Sequence, residues 1–150
     1  MEKNGRNKCE SYGKTDWMMD NGKRVSLERI LKETTRQEKI QDIILPKLGA
    51  KQMSIEVMAN LAGFSRATGY KIIREEIQPG QDTLLRIAFV LELNQFESQR
   101  LLKAGHCAQL TSGRKRDAVI LYGLCNKVSL WKMDEMLLKE GFSPLIRNNR

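Results

Sequence analysis

The side chains that most often do covalent or metal chemistry are scarce in this chain of 150 residues. There is one histidine, His106, and there are three cysteines, Cys9, Cys107 and Cys125. A single histidine leaves no choice of partners for a Ser-His-Asp arrangement and rules out a multi-histidine metal cage. His106 beside Cys107 is a poor zinc pair, because adjacent residues rarely aim at one ion, and no second pair stands near it in the sequence. Lys103-Ala104-Gly105-His106 reads instead as the end of a helix. The glycine-rich phosphate loops with a GxGxxG or GxxxxGK[ST] pattern are absent. No catalytic residue, cofactor site or metal site is therefore expected. An odd number of cysteines at unrelated spacings suits reduced thiols, and with no signal-peptide pattern at the start the expected location is cytoplasmic.

Chemistry of a different kind lies in Met53–Ile73. Ser54 can cap a helix carrying Val57, Met58 and Leu61, and Ala59 is a small residue where a second helix can cross closely. Four residues later Gly63 offers the left-handed conformation that a tight interhelical turn needs. Ser65 then caps a second helix expected to run to about Glu75, with Tyr70, Ile72 and Ile73. Such a helix can lie in a major groove with its first turns toward base edges. Gly69 stands inside it, where alanine is expected to be tolerated and, if nothing packs there, to raise stability by up to ~1 kcal/mol.

Charge supports a polyanionic partner. Lysine and arginine total 26 against 18 acids, for a net charge of +8. Residues 1–52 and 107–150 each carry +4, whereas 53–106 is neutral. The flanks supply broad attraction, so the middle must read a partner through local placement.

The elements that position these residues are helical throughout. At 41% hydrophobic the chain can bury a core, and the 6% aromatic content with three prolines argues against a strand-rich sandwich. Residues 1–25 are polar and read as a flexible arm, with Lys3, Arg6 and Lys8 able to reach a backbone and Trp17-Met18-Met19 able to dock. Ser26–Glu33 reads as a short helix with Leu27, Ile30 and Leu31 on one face. Thr35 and Glu38 form a capping box for a helix carrying Ile40, Ile43 and Ile44, expected to stop before Pro46.

After the Pro79-Gly80 turn comes a helix with Leu84, Ile87, Ala88 and Leu91 inward. Asn94 and Glu97 make another capping box, and Gly105 is the expected stop of that helix. The basic connector Arg114-Lys115-Arg116 precedes a helix capped by Asp117. Ser129 caps the last helix, with Val128 able to staple onto Met133; Gly141 closes it and Pro144 prevents its resumption. No strand pattern is evident.

The residues Glu56-Val57-Met58-Ala59-Asn60-Leu61-Ala62-Gly63-Phe64-Ser65-Arg66-Ala67-Thr68 and Pro79-Gly80-Gln81-Asp82-Thr83-Leu84-Leu85-Arg86-Ile87-Ala88 resemble the lambda-repressor-like, Cro/XRE-type helix-turn-helix family. The resemblance covers about residues 35–105. It implies an all-α chain in three parts: the arm over 1–25, a five-helix helix-turn-helix domain over 26–106, and a basic connector with a C-terminal helical hairpin over 107–150. It also implies a bacterial or phage transcription regulator whose partner is double-stranded DNA.

Carried over by position, the family's reading helix falls on Ser65–Glu75, with Ser65, Arg66, Ala67, Thr68, Tyr70, Lys71 and Arg74 facing DNA. Arg66 and Lys71 can donate to guanine edges or phosphates, and Thr68 can offer its methyl or hydroxyl. Tyr70 suits sugar-phosphate, and Ser54 can present its hydroxyl and nearby amides to a phosphate.

Two further expectations concern partners. Leu124, Leu130, Met133, Met136 and Leu137 can either pack the hairpin on the domain or form a homodimer surface. The competing function is a protein-interaction adaptor, antitoxin-like or signalling, on the same fold without DNA reading. Residues 138–143 echo 60–65 in sequence, but Pro144 removes any second reading helix. Trp17-Met18-Met19 is too short, and too close to Asp16 and Asp20, to make a membrane partner expected.

Overall fold

The computed structural model describes residues 19–20, 23–24, 26–33 and 37–147. Lys3, Arg6, Lys8, Trp17 and Met18 of the expected arm, and Thr35 of the expected capping box, lie outside them. Contacts divide the chain into two units, Met1–Arg36 and Gln37–Arg150. The expected hairpin over 107–150 falls in the second unit, because it shares the core of the helices before it.

In the first unit Met19–Asp20 (β1) pairs antiparallel with Lys23–Arg24 (β2), Met19 opposite Arg24 and Asp20 opposite Lys23. This small ladder departs from the strand-free expectation. Its signal in the sequence is Asn21-Gly22, the dipeptide that two-residue hairpin loops favour. Leu27–Glu33 (α1) follows, opened by Ser26, whose Oγ accepts the Arg29 amide at 3.2 Å. Leu27 and Leu31 are exposed.

The second unit is all-helical among its described residues. Its elements are Ile40–Lys51 (α2), Ile55–Ala62 (α3), Arg66–Ile73 (α4), Gln81–Val90 (α5), Gln95–Ala104 (α6), Lys115–Cys125 (α7) and Leu130–Lys139 (α8). Several begin where a side chain satisfies an otherwise orphaned amide. Asn94 and Glu97 form a reciprocal capping box at 2.8 and 3.0 Å, and Ser129 accepts from the Lys132 amide at 3.1 Å.

Helix α2 departs from expectation at both ends. It starts after Lys39, whose amide donates to Asp42 at 2.9 Å. Glu38 instead accepts from the Arg100 guanidinium on α6, with Nε at 3.1 Å. The helix also runs through Pro46 rather than stopping before it. Pro46 and Asp42 are both exposed, so the carbonyl that proline leaves without a donor faces solvent. Burial of Ile43, Ile44 and Leu48 carries the helix past it.

The inward face of α3 is Met58, Ala59 and Ala62, while Val57 and Leu61, expected on one face with Met58, are exposed. The close crossing of α4 selects small residues there. Helix α7 begins at Lys115, with Arg114 as its cap residue. Asp117, expected as the cap, is buried and accepts the Thr111 amide at 3.0 Å, so it fixes the preceding turn instead. Helix α6 ends at Ala104 with Gly105, the expected stop, as its cap residue, although the left-handed residue is the following His106, φ 58°. Gly105 is needed for another reason: a Cβ there would strike Leu84 Cδ1.

One buried cluster joins Ile44, Met58, Ile72, Leu84 and Leu101 to Ile120, Leu124, Leu130, Met133, Leu137 and Leu145. The hairpin surface considered for dimerisation is therefore core, with Met136 packed against it. Gly123 makes the hairpin's close approach possible, since a Cβ there would meet Met133 Sδ and come within 3.1 Å of Val128 Cγ2. Beyond α8 the chain is clipped back: Asp134 accepts the amides of Leu145 at 2.6 Å and Ile146 at 3.2 Å. Arg116 reaches the Ser143 carbonyl at 3.1 and 3.2 Å and the Asp82 carboxylate at 3.2 and 3.3 Å.

Candidate nucleic-acid interface

The sequence-predicted site residues all lie on α4 or cap α3 and α4. Ser54 caps α3 and accepts the Val57 amide at 3.1 Å. Gly63 closes α3 with φ 86°, a conformation most side chains resist. Ser65 caps α4, accepting the Thr68 amide at 3.1 Å and donating to Thr68 Oγ1 at 2.9 Å.

Helix α4 divides cleanly by face. Gly69, Ile72 and Ile73 point inward and are buried. Ser54, Ser65, Arg66, Ala67, Lys71 and Arg74 are exposed, and Thr68 and Tyr70 are half-buried. Arg66, Tyr70 and Arg74 recur every fourth residue and form one stripe, with Ala67 and Lys71 beside it. The Arg74 guanidinium lies over the Tyr70 ring, 5.4 Å from its centroid.

The helix ends at Ile73, two residues short of the expected Glu75. Glu75 takes φ 59°, its amide bonding Ile72 O at 3.1 Å while Glu76 N bonds Lys71 O at 2.8 Å. This is the usual left-handed helix stop, made by glutamate where glycine is the common choice. Arg74 then lies 3.9 Å from Glu76.

Glu56 is a member of this surface that sequence spacing does not reveal. Its Oε2 is 3.8 Å from Arg66 Nη1, and its Oε1 accepts from the Tyr70 hydroxyl at 3.4 Å. No local periodicity links residues ten and fourteen apart on different helices.

Behind the turn, Arg86 stacks on Phe64 at 4.9 Å from the ring centroid. Burial lowers its pKa, partly countered by Asp82 and Asp134. Arg86 Nη1 would lie 3.5 Å from a Cβ on Gly63, so α5 supports the turn that launches α4.

Among the described residues, no three His, Cys, Asp or Glu side chains group to hold a metal, and no helix is long and apolar enough to cross a membrane. The class this geometry defines is an all-helical unit presenting a short, firmly seated helix with a basic outer face. No family model, curated protein or solved structure matches the chain.

Proposed function

We propose that this chain is a DNA-binding regulator of the lambda-repressor-like helix-turn-helix type, reading duplex DNA in the major groove with α4. The observation that carries the reading is the division of α4 into two faces. Gly69, Ile72 and Ile73 lock it onto the core, while Arg66, Ala67, Lys71 and Arg74 face solvent beside Thr68 and Tyr70. A reader needs both: a rigid seat to fix register, and outward donors to meet phosphates and base edges.

Ser54 supports a phosphate contact at the N-terminus of α3, where amides and the helix dipole favour an anion. The net charge of +8 supports long-range attraction to the duplex.

A second reading, an adaptor for a protein partner, draws on the exposed Phe96, Tyr122, Trp131 and Leu138. Selection of bound sequences from random duplex DNA, followed by binding across a salt series, separates the two. A regulator enriches a defined site and loses affinity steeply with salt. An adaptor enriches nothing and binds no duplex at any salt.

A further inference from the structure

The carboxylate of Glu56 stands between two of the donors assigned above to DNA. Arg66 Nη1 is 3.8 Å from one of its oxygens, and the Tyr70 hydroxyl donates to the other across 3.4 Å. Glu56 sits in the first turn of α3, beside the Ser54 cap where a phosphate is expected. To these donors a carboxylate offers what a phosphate offers, an anionic pair of acceptors. Lys71, on the neighbouring stripe, has no such ion pair among the described residues. The Glu56 contacts are long and exposed, a kind of pairing that is weak and readily exchanged.

We propose that Glu56 sets the specificity of this interface: its carboxylate holds Arg66 and Tyr70 in the free protein, and a DNA phosphate must displace it. The proposal rests on the duplex-DNA reading of α4. On a duplex without the preferred sequence, Arg66 and Tyr70 can gain only phosphate contacts, and Glu56 competes for both. On any duplex both donors must leave Glu56, but on the preferred duplex Arg66 turns to an uncharged base edge, so only Tyr70 brings a phosphate beside the bared carboxylate. The carboxylate then penalises unspecific binding more than specific binding, as a repulsive element does in a selective interface.

The test uses the full chain, Glu56→Gln, and Glu75→Gln as a charge-matched control from the same surface. Binding to a labelled random-sequence duplex and to the selected duplex is followed by fluorescence anisotropy over ~50–200 mM salt. Glu56→Gln is expected to tighten the random duplex by about threefold or more, because one nearby like charge is removed and two donors are released. It should tighten the selected duplex less and steepen the salt slope on the random duplex by about one.

Glu75→Gln should shift both duplexes alike and leave their ratio unchanged. Equal effects of the two substitutions on both duplexes would overturn the role of Glu56 and leave the DNA reading standing. If neither the native chain nor Glu56→Gln holds any duplex, the DNA reading itself is wrong and the role of Glu56 falls with it.

Discussion

Gly69 of α4 and Ala59 of α3 are packed so closely that a Cβ built on Gly69 would lie 2.8 Å from the Ala59 Cβ. Two carbon atoms in ordinary contact stand ~3.5–4.0 Å apart. The same Cβ would also approach Ile55 Cγ2 at 3.4 Å. Glycine inside α4 is thus what lets the two helices meet at this distance. The expectation that alanine is tolerated here is corrected, because the missing methyl's space is already filled.

Gly69→Ala should therefore destabilise the protein by ~1–3 kcal/mol through overpacking, despite alanine's better helix propensity. Adding Ala59→Gly removes the opposing methyl and should recover part of the loss. Urea unfolding of the two single variants and the double variant reads the coupling directly. Additive effects would show that the two positions do not touch.

Arg66→Ala should weaken binding to a selected duplex by ~1–3 kcal/mol and relax preference at one base position. Comparing the sequences selected by the native chain and the variant checks this. A loss equal on every sequence would make Arg66 a phosphate contact only.

Deleting residues 107–150 should abolish cooperative unfolding, contrary to what the five capped helices alone suggest. Ile120, Leu124, Met133, Leu137 and Leu145 lie in the same buried cluster as Leu84 and Leu101. Losing several such side chains, at ~1.5–3 kcal/mol each, exceeds the usual stability of a domain. A thermal melt checks this, and a sharp transition in the truncated chain would show that the hairpin is dispensable.

Glu97 ties stability to pH. Burial alone would raise its pKa, but hydrogen bonds from Lys47 and the Asn94 amide outweigh this and hold it below the ordinary carboxylate value. Lys47 Nζ stands 2.7 Å from Glu97 Oε2. A carboxylate with a depressed folded-state pKa contributes fully above its unfolded value of ~4.3 and loses that contribution as pH falls through the folded one. The urea midpoint should fall as the medium is acidified below that range. Glu97→Gln should flatten this dependence, and an unchanged slope would remove Glu97 as its source.

Much of this architecture was legible because particular residues announce it. Ser54, Ser65, Asn94 and Ser129 each cap the helix that the sequence assigned to them. Gly63 and Gly141 take the positive φ expected of glycine stops. What stayed illegible has two causes. The turns after helices at Gln52, Glu75, Glu92 and Lys127 adopt left-handed conformations without glycine, so no glycine marks them. The roles of Glu38, Glu56 and Asp117 depend on partners brought near by folding, and neither spacing nor periodicity encodes those. On α3 the close crossing at Ala59 is legible, but the burial of Ala62 in place of the more hydrophobic Val57 and Leu61 is not.

The seat that Asp134 makes for the Leu145 and Ile146 amides has a consequence for exchange with solvent. Segments outside helices and strands usually open first and surrender their protons quickly. Here two amides beyond the last helix are held by a carboxylate, and Leu145 is 1% exposed. Their protons leave when the segment parts from Asp134, so deuterium uptake at this pair times the opening of that clip on α8. A spectroscopist would have, in two adjacent backbone positions, a clock for the release of the segment that Asp134 holds.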